Sequence, residues 1–493
     1  MKRVPDPLQM KAVERIAIEE IGIPSLVLME RAAHAAALEL KKRFEEPPSV
    51  LAVCGTGNNG ADGLALARIL KLWGWSVSFT VVGDPEKATG EWKTQYNLCK
   101  KLGVEEVPQI AEAGILVDAL FGIGLSRPLS GRFLDAVQQI NALKGFKLAI
   151  DVPSGISCRT GAVMGGAVMA DLTVTFQFEK AGLLLYPGRS YCGELVCADI
   201  GIPESFQDIG PAVRIEEQDL SVFNRRPQDS NKGTFGRVLV IAGSVNMCGA
   251  AILSALAACR TGAGLAEVYT PWENRIPLQT RLPEAVLTCY DTENPDDAQL
   301  KNALDRADAV VLGPGLSTRE YAARLVKSVL KECRKPLIID ADALNIIAGN
   351  PEFFKLIPEN AVLTPHVKEL SRLTGKTIQK LKEDPMETAQ SFAKEHGVIL
   401  VMKDAATVIA APDGRVCINT SGCSAMATGG SGDVLTGILG ARFAADRKDP
   451  FTITSLCVCL HGLAGEEAAK NKGEGAVLAS DIADSIGTVL CRI

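Results

Sequence analysis

Val50-Leu51-Ala52-Val53-Cys54 runs directly into Gly55-Thr56-Gly57-Asn58-Asn59-Gly60-Ala61-Asp62-Gly63, and then into the apolar stretch that begins at Leu64. The first five residues carry no polar side chain, which fits a short strand buried on both faces. The glycine-rich stretch reads as a tight turn, and the segment from Leu64 to about Trp73 reads as a helix. Gly55, Gly57 and Gly60 satisfy G-x-G-x-x-G in this strand-to-helix setting, and Asp84 follows at the end of the next expected strand. Glycine lets backbone amides approach a phosphate at the positive end of a helix. A strand-to-helix turn also collects glycines without binding anything, so this pattern alone leaves both readings open.

Outward from this unit, apolar runs at 77–82, 115–120, 148–150 and 172–176 alternate with helical patterns at 90–102 and 131–143. Ahead of it, residues 25–44 place Met29, Ala32, Ala33, Ala36 and Leu40 on one face of a helix. Such alternation predicts a Rossmann-like, doubly wound parallel sheet. Composition shifts between 201 and 235, through Pro203, Pro211 and the polar run from Arg225 to Gly233, so a linker is expected near 210–225. A second alternating series follows at 237–242, 309–312, 337–339, 362–363, 398–402 and 407–410. The expected fold class is α/β with two domains, residues 1–215 and 216–493.

A chain of 493 residues with 47% apolar, 22% charged and 5% aromatic residues has the composition of a globular protein. Its net charge of −6 offers no basic field for a nucleic-acid backbone, so small molecules are the expected partners, with a homo-oligomer of the chain itself. The fourteen cysteines are scattered singly without a CxxC, which argues against a zinc site or a disulfide framework and for a reducing cytoplasm. Met1-Lys2-Arg3 leads into Pro5, Asp6 and Pro7 rather than an apolar core, which is no secretory signal. No stretch reaches the roughly 18–20 apolar residues of a membrane span.

In the first half, polar groups gather where strands are expected to end. Asn58, Asn59 and Asp62 fill the glycine turn, Asp118 precedes Ala119-Leu120-Phe121-Gly122, and Asp151 precedes Val152-Pro153-Ser154-Gly155. The carboxyl ends of parallel strands share one crevice, so Asn59, Asp118, Asp151 and Ser154 are expected to converge. Oxygen donors of this kind suit a hard cation, and Asp151 suits acid–base work, although any one of these aspartates alone serves equally as a turn or helix cap.

Those three runs, together with Ile123-Gly124-Leu125, resemble the YjeF N-terminal family of NAD(P)H-hydrate epimerases over nearly all of the first 210 residues. The resemblance implies that Asn58, Asn59, Gly60, Ala61 and Asp62, with Gly122, Ile123, Gly124, Leu125, Ser126, Arg127 and Pro128, hold the substrate. It places Asp151 at the hydrated nicotinamide and potassium on Asn59, Asp118 and Ser154.

In the second half the sharpest feature is Thr428-Gly429-Gly430-Ser431-Gly432-Asp433 ahead of an apolar helix. Amides at such a helix start can stabilise a transferring phosphoryl group, and Asp433 beside them can take the proton of an attacking hydroxyl. No Walker GxxxxGK[ST] accompanies either glycine turn, which disfavours a P-loop enzyme.

This pattern resembles the ribokinase-like fold, and within it the YjeF C-terminal family of ADP- or ATP-dependent NAD(P)H-hydrate dehydratases. The resemblance is carried by Asn231-Lys232-Gly233-Thr234-Phe235-Gly236, Ala242-Gly243-Ser244, Gly249-Ala250, Gly313-Pro314-Gly315, Asp340-Ala341-Asp342-Ala343-Leu344-Asn345, Thr364-Pro365-His366 and Lys403. It implies that Ala250, Gly315, His366 and Asp433 face the hydrated dinucleotide. The adenine nucleotide, with Mg2+, then falls to Lys403, Asp404, Ala405, Ala406, Thr407 and Gly432. Asp340 and Asp342 orient the site or cap a helix. This chain reads His366-Val367-Lys368-Glu369 where the family has His-Pro-Gly-Glu, and Lys403-Asp404 where it has Lys-Gly.

The implied function is repair of hydrated NADH and NADPH. The first domain epimerises the hydrate, and the second phosphorylates its C6 hydroxyl and eliminates phosphate. Rival readings are a vitamin or sugar kinase with a silent binding domain in front, and hydride transfer at the glycine loop.

Overall fold

The computed structural model describes residues 1–203, 210–223, 226–293, 296–446 and 449–493; residues 224 and 225, at the end of the expected linker, lie outside that set. The chain divides into two compact units, one of Arg3–Ala212 and one of Met1–Lys2 with Val213–Ile493.

The first unit is built on β1 (Val50–Cys54), β2 (Val77–Val81), β3 (Glu105–Glu106), β4 (Ile115–Ala119), β5 (Phe146–Ile150), β6 (Leu172–Phe176) and β7 (Glu194–Ala198). They lie side by side as β3-β2-β1-β4-β5-β6-β7, and every pairing is parallel. β1, β4 and β6 are buried at every position, which is why they read as unbroken apolar runs. The strand order reverses between β1 and β4, where Val53 stands beside Asp118 and Cys54 beside Ala119. A crevice opens outside the carboxyl ends at such a point.

Helices α1 (Pro7–Arg15), α2 (Ser25–Arg43), α3 (Asn58–Leu72), α4 (Gly90–Lys101) and α5 (Arg132–Ala142) belong to this unit. At α1, Asp6 accepts from Leu8 N and Gln9 N while Gln9 bonds back to Asp6 N, a complete capping box. Each leucine or valine sealed between these helices and the sheet contributes about 1.5–3 kcal/mol.

α3 begins at Asn58, six residues earlier than the sequence pattern suggests. Asn58 to Gly63 are therefore the first turns of the helix and not a loop. Gly60 makes this possible, because a Cβ there would sit 1.9 Å from the Gly55 carbonyl oxygen. The helix start thus lies directly on the end of β1, with the side chains of Asn59 and Asp62 on its opening turns.

The second unit contains β8 (Arg237–Ile241), β9 (Leu265–Pro271), β10 (Val286–Tyr290), β11 (Ala309–Leu312), β12 (Leu337–Ile339), β13 (Val362–Leu363), β14 (Ile399–Met402), β15 (Thr407–Ala410) and β16 (Val416–Asn419). Their spatial order is β10-β9-β8-β11-β12-β13-β14-β15-β16. Pairings are parallel from β10 to β14, and β15 and β16 join antiparallel. Here the order reverses between β8 and β11, which sets Ala242-Gly243-Ser244 beside Gly313-Pro314-Gly315. Four helices frame the site of this unit: α6 (Cys248–Thr261), α7 (Val367–Thr374), α8 (Ser431–Ala445) and α9 (Pro450–Lys472). α8 and α9 are buried along most of their length. Among the described residues no helix is long and apolar enough to cross a membrane.

Candidate active sites

In the first unit, the ends of β1, β4, β5 and β6 and the start of α3 surround a cavity of about 380 Å³. Asp151, just past β5, adopts a left-handed backbone with φ 67°, and its amide donates to Val174 O at 2.8 Å. Its Oδ1 accepts from Lys180 Nζ at 2.7 Å and from Thr175 Oγ1 at 3.1 Å. Lys180 is 1% exposed and also donates to Thr175 Oγ1 and Phe176 O. Burial opposes its charge, but the Asp151 carboxylate outweighs burial and lifts the lysine above its ordinary range.

The other carboxylate oxygen, Asp151 Oδ2, faces Gly122, where a Cβ would lie 3.0 Å from it and 3.1 Å from Asn59 Oδ1. Asn59 Nδ2 is buried with no partner among the described residues. Beside this pair, Asp118 is sealed from solvent and accepts from Ser154 Oγ at 2.6 Å, Ser154 N at 2.7 Å and Leu120 N at 3.3 Å. Burial pushes the Asp118 carboxyl up to about 6, against the pull of these hydrogen bonds. Ser154 Oγ in turn accepts from Phe121 N at 2.9 Å. Asn59, Asp118, Asp151 and Ser154 therefore gather around residues 120–122, as their places at strand ends suggested.

Asn58, Asn59, Asp62, Gly122, Ile123 and Gly124 line the cavity, whereas Gly60, Ala61 and Leu125 to Pro128 do not. Gly60 and Ala61 are spent on packing α3 against β1. Asp84, the acidic residue of the dinucleotide pattern, is not in the cavity wall; it caps the turn Pro85–Lys87 by accepting from Glu86 N. Among the cavity residues that escaped the sequence reading of this site are Lys180 and Glu14. Lys180 follows Glu179 as an ordinary charged pair in the sequence, and Glu14 lies on α1, ahead of the first glycine turn.

In the second unit, α8 opens at Gly430, whose φ of +93° is one that side-chain-bearing residues rarely adopt. A Cβ there would also meet Leu253 Cδ1 at 2.5 Å. The Ser431 amide reaches Thr428 O at 3.4 Å, while the Gly432 and Asp433 amides are first-turn donors that no carbonyl within the helix can satisfy. Asp433 is anchored through its carbonyl, which accepts from Thr436 Oγ1 at 2.7 Å and Ser254 Oγ at 3.0 Å. Its carboxyl is pushed up to about 7 by burial and by Asp340, with Lys403 pulling it back and Asp342 adding to the rise.

Lys403 follows β14 and bonds Asp340 Oδ1 at 2.8 Å; Thr364 Oγ1 donates to the same oxygen at 2.7 Å. A Cβ on Gly432 would lie 3.2 Å from Lys403 Nζ and 3.5 Å from Asp340 Oδ2, so the glycine turn, Lys403 and Asp340 meet. Asp340 is thus an ion-pair partner, and Asp342 accepts from Ser317 N at 2.8 Å, fixing the 313–317 segment. Within that segment Gly315 packs on Ala250, whose Cβ would stand 2.9 Å from a Cβ added to the glycine.

His366 caps α7. Its Nδ1 accepts from Lys368 N and Glu369 N, each at 3.1 Å, and Glu369 Oε2 accepts from His366 N at 2.9 Å. The segment after His366 is consequently a helix start and not a loop. Val367 fills its first position, where the missing proline would have given up no needed amide. Asp404 closes the β14–β15 turn, accepting from Ala405 N at 3.0 Å and pairing with Lys382 Nζ at 2.6 Å. Ala406 is buried and Thr407 begins β15. The sequence reading also missed His461, which is buried on α9 with Nε2 3.3 Å from Ser431 Oγ. Burial and Lys403 push this imidazole down to about 4, so it is neutral. A lone histidine in an apolar helix was its one trace in the sequence.

Residues 238–488 match the family model described as NAD(P)H-hydrate dehydratase, and residues 25–182 match that of the YjeF-related protein N-terminus. The chain is 36% identical to the bifunctional NAD(P)H-hydrate repair enzyme of Moorella thermoacetica, over 98% of this chain and 95% of that protein. It is 32% identical to the enzyme of the same name from Escherichia coli, over 97% and 92%. Among solved structures, a ribokinase-like superfamily protein from Enterococcus faecalis is similar at 33% identity and a TM-score of 0.52, covering 58% of this chain and 97% of its own. The ADP/ATP-dependent NAD(P)H-hydrate dehydratase of Bacillus subtilis, co-crystallised with ATP and Mg2+, is similar at 31% identity and a TM-score of 0.50, covering 56% and 97%.

Proposed function

This chain belongs to the family of bifunctional NAD(P)H-hydrate repair enzymes, and from that premise we propose which of its residues carry each activity. Its N-terminal domain is an NAD(P)H-hydrate epimerase and its C-terminal domain an ADP- or ATP-dependent NAD(P)H-hydrate dehydratase. The kinase reading is not favoured by these relatives, whose names are those of repair enzymes.

The dehydratase occupies residues 216–493. Asp433 takes the proton of the C6 hydroxyl as that oxygen attacks the terminal phosphoryl group, and the amides of the α8 first turn receive the charge that builds there. The observation that carries this assignment is the meeting of Asp433, Gly432, Lys403 and Asp340 at one helix start. Lys403 to Thr407 and Gly432 hold the nucleotide, while Ala250, Gly315 and His366 face the dinucleotide. Elimination of phosphate then restores the C5–C6 double bond. Mg2+ would come with the nucleotide phosphates, as ATP and Mg2+ were supplied together to the Bacillus subtilis dehydratase, and the Asp340 carboxylate beside Gly432 offers it oxygen. It would supply charge neutralisation, with ADP or ATP as donor.

The epimerase occupies residues 1–215, with Asp151 handling protons at C6 and Asn58, Asn59, Asp62 and residues 122–128 holding the substrate. Potassium fits beside them. Asp118 offers a buried anionic oxygen, Ser154 a hydroxyl, and Asn59 its amide oxygen Oδ1, which faces Gly122. The ion would order the 120–122 segment against the substrate. Only one epimer serves the dehydratase, so the epimerase lets both be repaired. The singly scattered cysteines support a cytoplasmic setting.

Supplying the S epimer of hydrated NADH with ADP or ATP tests the dehydratase assignment. One inorganic phosphate is expected per NADH restored, and Asp433→Asn abolishes both. Accumulation of a stable phosphorylated product would sink the reading.

A further inference from the structure

Inverting C6 requires one bond at that carbon to break and reform, and this calls for a proton donor as well as a proton acceptor. Asp151 suits the acceptor, because Lys180 and Thr175 occupy Oδ1 and leave Oδ2 facing the cavity. The donor comes from outside the sheet. Helix α1, ahead of the 25–182 segment matched by the family model, sends Glu14 into the same cavity. Resting on the epimerase reading above, we propose that Glu14 is the second catalytic acid–base residue of that site, acting on C6 in partnership with Asp151.

Two residues compete for this role, Glu14 and Asp62, since both line the cavity and neither carboxyl has a hydrogen bond or ion pair among the described residues. The charged groups acting on Glu14 are Asp151 on the β5 end, Lys180 beyond β6 and Lys11 on its own helix; Asp62 on α3 is raised by it in turn. Burial drives Asp62 well above the usual carboxylate range, with Asp151 and Glu14 adding to it and no cation acting against them. At Glu14 burial and Asp151 raise the carboxyl while Lys180 and Lys11 offset the rise. A proton shuttle must be able to hold and to lose its proton, and Lys180 and Lys11 favour the ionised form at Glu14 as burial favours the protonated one.

The step balances with water alone. The Glu14 carboxyl gives its proton to the C6 hydroxyl, the C6–O bond breaks, and its electron pair leaves with water. The N1 lone pair forms the C6–N1 double bond. Water then adds to the other face of C6, the N1 pair is restored, and Asp151 Oδ2 takes the proton released by the incoming oxygen. One exchange moves a proton from Glu14 to Asp151; the reverse exchange returns it, and in successive exchanges of one direction solvent water carries it from Asp151 back to Glu14.

The test uses the full-length chain, measuring exchange between R and S hydrated NADH in water enriched in 18O. Glu14→Gln is expected to lower kcat for exchange on the order of 10²–10⁴-fold with little change in KM. Glu14→Asp restores part of that rate, and the wild type incorporates solvent 18O at C6 with each exchange. Dehydratase activity and the unfolding profile of the Glu14→Gln chain stay those of the wild type, which separates lost chemistry from lost folding. Three results overturn the proposal: Glu14→Gln exchanging at the wild-type rate, a loss confined to KM, or exchange with the original oxygen retained. If Asp151→Asn abolishes exchange while Glu14→Gln does not, this inference alone fails. If neither matters, the epimerase assignment fails with it.

Discussion

Lys180 Nζ stands 2.7 Å from Asp151 Oδ1, and the two side chains are 1% and 12% exposed, so the aspartate proposed to act at C6 is buried in an ion pair with a lysine sealed beneath it. Removing one member of a buried pair strands the other charge, at a cost of about 3–5 kcal/mol. Lys180→Met is therefore expected to destabilise the first unit by about that amount and to abolish epimer exchange. The second unit keeps its dehydratase activity. Denaturant unfolding beside the two activity assays checks this, and unchanged exchange in Lys180→Met contradicts the role of the pair.

Asp433 sets the acid limb of the dehydratase. Its carboxyl is pushed up to about 7, and it takes a proton only when ionised. The rate therefore falls as pH drops through about 7 and levels off above it. Asp340 raises this carboxyl and Lys403 lowers it, so Asp340→Asn moves the midpoint to lower pH and Lys403→Met moves it to higher pH. Dependence of kcat/KM on pH for the three chains reads these shifts directly.

Potassium is tested on the Asp118 and Ser154 pair. Asp118→Asn keeps the volume of the side chain but removes the anionic oxygen that the ion needs. Exchange by the wild type is expected to rise when potassium replaces tetramethylammonium, and exchange by Asp118→Asn to be low and indifferent to the salt. Equal stimulation of both would remove Asp118 from the ion's ligands.

Much of this was legible in the sequence because burial on both faces leaves parallel strands as plain apolar runs. β1, β4, β6, β11, β12 and β13 read that way. Others did not: β3 is two exposed glutamates and β7 a half-exposed strand at the edge of its sheet, while β9, β10 and β16 went unread although β9 and β16 are almost wholly buried, because polar residues such as Glu267 and Asn419 break their apolar runs. The start of α3 was misplaced because asparagine and glycine speak for a turn when read locally. The close packing of Gly60 on Gly55, a tertiary fact, decides for helix. The site divides the same way. Asp151 and Asp433 stand at strand and helix ends that the pattern marks, whereas Lys180 and Glu14 reach their site from elements whose local sequence carries no trace of what they will face, and His461 shows only as a lone histidine in an apolar helix.

The central claim is that one chain repairs both epimers through two separate sites, and a mixture of R and S hydrated NADH incubated with ADP or ATP tests it most directly. Wild-type protein is expected to return all of the hydrate to NADH, at a faster pace than the epimers interconvert unaided. Asp151→Asn should return the S fraction quickly and then slow to the uncatalysed exchange, and Asp433→Asn should equalise the epimers while restoring none. Full, rapid recovery by Asp151→Asn, or no recovery by the wild type, would contradict the account.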